Sequence, residues 1–152
     1  MQVELYKEVK GPVQNKKVVQ IARTTLRVLK KKNSINLSVA IVSEKTGRAL
    51  NKTWRGVDSV PSVLSYEEKK SNNRNKTIVL PAQKDKFIGE IVITDSVVKK
   101  QAKENKSSYQ EEFEFLFVHG LLHLMGYTHK SGSKANEMEK QEDRIIKLIR
   151  NT

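Results

Sequence analysis

At 152 residues, with 37% hydrophobic and 30% charged side chains, the chain has the size and apolar content of one folded domain over residues 1–152, which excludes wholesale disorder. A formal net charge of +12 points to a polyanionic partner, because clustered cations gain affinity by releasing counterions condensed on phosphate backbones. The absence of cysteine excludes disulfide frameworks, thiolate zinc sites and cysteine nucleophiles together, and fits a reducing, cytoplasmic setting.

Residues 1–8 carry Glu4 and precede no apolar stretch of signal-peptide length, so no export signal is expected. Residues 16–32 place Val18, Ile21, Ala22, Thr25 and Leu29 at three- and four-residue steps, with Lys17, Arg23, Arg27, Lys30 and Lys31 between them. That pattern predicts a basic amphipathic helix. Residues 35–42 alternate as a strand does, with Ile35, Leu37, Val39 and Ile41 on one side. Thr46 then offers an N-cap for a helix reaching Arg55, with Leu50 and Trp54 inward.

Three short runs rich in branched and aromatic residues, 63–66, 77–80 and 87–93, predict further strands, the first two separated by the polar stretch 67–76. Thr94 or Asp95 can cap a helix holding Val97 and Val98, and Ser107 or Ser108 a longer one that runs to Met125 and stops at Gly126. Residues 135–150 predict a last helix with Met138, Ile145, Ile146 and Ile149 inward. The segment 113–125 is apolar but interrupted by Glu114, His119 and His123, and too short to span a bilayer, so no membrane partner is expected. Charge is unevenly placed. Residues 1–34 hold nine Lys and Arg against two acids, and residues 107–152 hold six against seven.

All three histidines of the chain fall within residues 119–129. At about 100° of turn per residue, the apolar side chains from Phe115 to Met125 cover nearly the whole helix circumference, and His119 and His123 fill the sector left over. Their spacing of four puts two imidazoles within reach of one ion. Gly126 can adopt positive φ, stop the helix and return His129 to the same ion. Three neutral imidazoles with a fourth position open form the arrangement that binds zinc and lowers the pKa of its water. The spacing equals that of the metzincin proteases, H-E-x-x-H-x-x-G-x-x-H, except that the position of the general-base glutamate is Gly120. Peptidase chemistry therefore lacks its base. A helical glycine costs about 1 kcal/mol relative to alanine, so close approach of another backbone or of substrate is expected at Gly120.

The pattern H-G-x-L-H-L-x-G-Y-D-H matches residues 119–129 everywhere but at Thr128. Leu50, Asn51, Trp54, Arg55 and Gly56 followed by Val63, Leu64, Ser65 and Tyr66 make a second block, residues 89–93 a third, and Met138 with Glu142 a fourth. In these blocks, which occur in order over roughly residues 35–145, the chain resembles the YbeY-type family of metal-dependent endoribonucleases that mature ribosomal RNA. The resemblance implies one zinc ion on His119, His123 and His129, a zincin-like metal helix, and a catalytic Arg55 whose planar guanidinium grips phosphate oxygens. It further implies single-strand-specific cleavage at the 3′ end of small-subunit ribosomal RNA, with ribosomal RNA and ribosomal particles as partners rather than DNA. The rival of another class is a ribosome-assembly, RNA-binding protein that keeps the zinc for stability and cuts nothing.

Three positions depart from the family pattern. Thr128 replaces an aspartate, Pro61 and Ser62 stand where T-D is usual, and Glu90 replaces an aspartate. A carboxylate commonly orients a zinc-bound imidazole through its second N–H, so either another acid substitutes or turnover is weak. The fold expected is α+β, a single domain with a mixed sheet of about four strands packed by about five helices, with the basic first helix holding RNA.

Overall fold

The computed structural model describes residues 1–31, 35–67, 86–128 and 132–151. Its elements in chain order are β1 (Gln2–Lys7), α1 (Asn15–Val28), β2 (Ile35–Val42), α2 (Glu44–Arg55), β3 (Val63–Glu67), β4 (Lys86–Thr94), α3 (Asp95–Glu104), α4 (Tyr109–Leu124) and α5 (Gly132–Arg150). The sheet has the order β1-β2-β4-β3, with β1 and β4 parallel to β2 and β3 antiparallel to β4. The α+β class, the mixed four-stranded sheet and the five helices agree with the sequence reading, although the strands are not the same four. The segment 77–80 lies outside the described residues, and the fourth described strand is β1, which pairs along β2 from Gln2 opposite Asn36 to Lys7 opposite Ile41.

Period-two alternation gives the sheet two different faces. Val3, Leu37, Val39, Ile41, Ile91 and Ile93 are buried on one face, in a common core with Val18 and Ile21 of α1 and Phe113, Phe117 and Leu121 of α4. Phe113 and Phe117 are fully buried, each contributing about 1.5–3 kcal/mol by transfer from water. On the other face Val42, Leu64 and Val92 pack against Leu50 and Trp54 of α2. α5 packs on α1 and α4, burying Met138, Ile145 and Ile149, while Ile146 is only partly buried. Among the described residues no helix is long and apolar enough to cross a membrane.

Local chemistry sets where the functional helices begin. Ser108 caps α4 in a capping box: its Oγ accepts the Glu111 N–H at 3.1 Å, and the Glu111 carboxylate accepts the Ser108 N–H at 3.0 Å. Those hydrogen bonds hold the Glu111 carboxyl below its usual range. The start of α4 is tied to α3 by the Tyr109 hydroxyl, which donates to Asp95 at 2.6 Å, and burial, followed by that bond, pushes the phenol pKa up. α2 is capped by Ser43 rather than Thr46. The Ser43 Oγ accepts the Thr46 N–H, while the Thr46 hydroxyl is taken by Glu8 at 2.8 Å. α5 begins at Gly132, three residues before its predicted start.

Candidate metal centre

α4 carries His119 and His123 one turn apart, and their Nε2 atoms converge to 3.1 Å with the rings edge-on at 76°. Behind them, the Nδ1 of His119 meets Oε1 of Glu142 at 2.6 Å. Glu142 is only 8% exposed and stands on the inward stripe of α5. A proton on Nδ1 donated to that carboxylate leaves the Nε2 lone pair facing His123, which is the tautomer a metal-binding imidazole needs. A tetrahedral ion with bonds of about 2.0–2.1 Å separates its nitrogen ligands by roughly 3.3 Å, so the observed pair fits a shared zinc-sized cation. The carboxylate lost at Thr128 thus has a counterpart that the sequence reading named as a family position but gave no task.

His129 lies outside the described residues. The turn before it is described: Gly126 has φ 95, its N–H donates to the His123 carbonyl at 3.0 Å, and the Tyr127 N–H donates to the Leu122 carbonyl at 3.0 Å. Those two bonds form a Schellman motif, so the glycine ends α4 where the spacing required. Among the described residues no group of three or more metal-ligating side chains is assembled.

Gly120 answers to the sheet. A Cβ there would lie 3.0 Å from Ser65 Oγ and 3.1 Å from both Ile91 Cγ2 and Val63 Cγ2. The Ser65 hydroxyl donates to the Gly120 carbonyl at 2.9 Å. Close approach was expected at this residue, and the approaching groups are side chains of β3 and β4.

Arg55 is exposed in the last turn of α2, a helix whose Leu50 and Trp54 pack on the sheet face opposite α4. The two faces communicate through β3, the outermost described strand on that side of the sheet. Its Tyr66 ring meets Trp54, beside Arg55, at 4.9 Å with a tilt of 39°, and its Ser65 holds Gly120, beside His119. Glu90 belongs to interior strand β4 and points away from α4, lining a hollow of about 370 Å³ with Glu4, Tyr6 and Ser38. Lys16, Arg23 and Arg27 on α1 are exposed, as are Lys30 and Lys31 just beyond its end, whereas Lys17 pairs with the buried Glu114 at 3.4 Å.

Comparison with known proteins gives a single direction. The family model described as Endoribonuclease YbeY matches residues 4–150. Among curated relatives with that name, the one from Alkaliphilus metalliredigens is 37% identical over 110 residues, 72% of this chain and 68% of the relative. The relative from Caldanaerobacter subterraneus is 31% identical over 134 residues, 87% of this chain and 85% of its own. That from Neisseria meningitidis serogroup B is 34% identical, and there the match spans 63% of the relative's length. The solution structure of the protein TM1509 from Thermotoga maritima shares the fold, with a TM-score of 0.62 and 23% identity over 97% of this chain and 88% of that one. A match that runs from β1 to the end of α5, through the helical histidine pair and the carboxylate behind it, shows that the chain belongs to the Endoribonuclease YbeY family.

Proposed function

We propose that this protein is a zinc-dependent, single-strand-specific endoribonuclease that works in the cytoplasm on ribosomal RNA, at the 3′ end of the small-subunit species. The observation that carries this reading is the pair of converging Nε2 atoms at 3.1 Å backed by the Glu142 carboxylate. His119, His123 and, beyond the Gly126 turn, His129 would hold one Zn²⁺. An ion in that position supplies Lewis-acid polarisation of a phosphodiester and lowers the pKa of an attacking water.

The chain's own residues do the rest. Glu142 fixes the tautomer and orientation of His119, so that Nε2 is presented without rearrangement. Arg55 offers planar, paired donors to phosphate oxygens where negative charge builds. The exposed cations of α1 attract the RNA backbone at long range, an effect that weakens as salt rises. Gly126, at φ 95, ends α4 and begins the turn that would return His129 to the pair.

Untagged protein is expected to carry about one zinc per chain and to cut single-stranded RNA in a chelator-sensitive reaction. Arg55→Ala should retain the zinc and lose roughly a hundredfold in turnover, the scale of removing one donor to a developing oxyanion. A 5′-phosphate product would identify water as the nucleophile, and a cyclic phosphate the RNA 2′-hydroxyl. Cleavage that is equal with and without chelator and equal in Arg55→Ala would leave a binding protein in place of an enzyme.

Glu142→Gln tests the substitute carboxylate. Zinc affinity, measured by competition with a chromophoric chelator, should fall about ten- to hundredfold while the fold is retained. Unchanged affinity would reduce Glu142 to a packing role.

A further inference from the structure

Phe115 precedes His119 by one turn of α4, and its ring lies 6.3 Å from the imidazole at an interplanar angle of 28°. Its helix neighbours Phe113 and Phe117 are fully buried, but Phe115 is 42% exposed. Beside it, between α4 and α5, opens a hollow of about 320 Å³ with Ala135 and Met138 as its apolar lining and Glu139, Asp143 and the His119-bound Glu142 as its acidic part. Glu139 and Asp143 are exposed, and among the described residues neither is paired with a cation. A flat apolar surface next to unpaired carboxylates rejects phosphate and favours a planar ligand that carries N–H donors. It adjoins His119, where a phosphate is to be cut. A nucleobase meets all of these conditions: every base has a π-face that stacks on an aromatic ring, and carboxylates accept from exocyclic amines.

We propose that Phe115 is the stacking platform for the nucleobase adjoining the scissile phosphate, and that Glu139 or Asp143 accepts the exocyclic amine of that base. This rests on the endoribonuclease reading above and adds to it a base-recognition subsite. The carboxylates keep the RNA backbone on the α4 side of the hollow. Adenine, cytosine and guanine have an amine to donate, and uracil has none, so a preference against uridine at this nucleotide follows.

The test is a cycle on kcat/KM with the zinc-loaded enzyme and short single-stranded RNAs, pairing Phe115→Ala with an abasic nucleotide next to the cleaved bond. Each change alone should lower kcat/KM by roughly tenfold or more, the scale of losing one base–aromatic stack, and the two together no further than one alone. Phe115→Trp should stay within a few-fold of wild type. Zinc content and melting temperature should not move in either variant, because the ring is half exposed and ligates nothing. Glu139→Gln combined with Asp143→Asn should erase the discrimination against uridine. Losses that simply add, or a Phe115→Ala enzyme indistinguishable from wild type, overturn the subsite while leaving the nuclease assignment intact. A wild type that cuts no RNA overturns both.

Discussion

Gly120→Glu, which restores the glutamate of the metzincin spacing, is expected to destabilise the fold by more than about 4 kcal/mol and to confer no peptidase activity. The Cβ alone would sit 3.0–3.1 Å from Ser65, Ile91 and Val63, and overpacking of that kind costs about 1–3 kcal/mol. The rest of the side chain would carry an unpaired carboxylate into the interface between α4 and the sheet, where leaving a charge uncompensated costs about 3–5 kcal/mol. Against a total stability of about 5–15 kcal/mol this is a large fraction, so urea denaturation should show a midpoint well below wild type or a protein unfolded from the start. Gly120→Ala is the milder arm. It gains about 1 kcal/mol of helix propensity and loses some or all of it by displacing the same three neighbours. A Gly120→Glu protein as stable as wild type that hydrolyses casein would refute this account of the glycine.

His123→Ala should abolish cleavage together with stoichiometric zinc while leaving the fold intact. Removing an outer carboxylate typically costs ten- to hundredfold, and removing a donor atom itself is expected to exceed that. His123 is only partly buried on α4, so its truncation opens no large cavity. Metal content, far-ultraviolet circular dichroism and RNA cleavage measured on the same sample separate loss of the ion from loss of structure. Should His123→Ala bind zinc and cut RNA as wild type does, the ion is held elsewhere and the helical pair is an ordinary hydrogen-bonded couple.

What the sequence disclosed, and what it hid, divides along the distance over which the deciding interaction acts. Ser108 could be read as the start of α4 and Gly126 as its end, because a capping box and a Schellman turn are complete within a few residues. The choice between Ser43 and Thr46 as the cap of α2 could not, because it depends on Glu8, more than thirty residues away, occupying the Thr46 hydroxyl. β1 shows only Val3 and Leu5 on its inward side, and its partner β2 begins more than thirty residues later, so its alternation was too short to declare a strand. The glycine at 120 announced a close contact, but which strands supply it is a tertiary fact.

The site divides in the same way. The histidine pair follows from helical spacing alone. Glu142 was visible as an acid in the same stripe as Met138, Ile145 and Ile149, yet its task depends on how α5 docks against α4. The side of the sheet on which α2 lands, with Leu50 and Trp54 against Val42, Leu64 and Val92, is set by the handedness of the chain crossing, which no local pattern encodes.

Glu142 rides on α5, whereas His119 and His123 ride on α4, so the carboxylate–imidazole contact exists only while the two helices stay docked. That docking is made by Met138, Ile145 and Ile149, whose side chains share one core with Phe113 and Phe117. Truncating any of the three would act from a distance, slackening the seat of an imidazole through the oily interior without touching one of its polar neighbours.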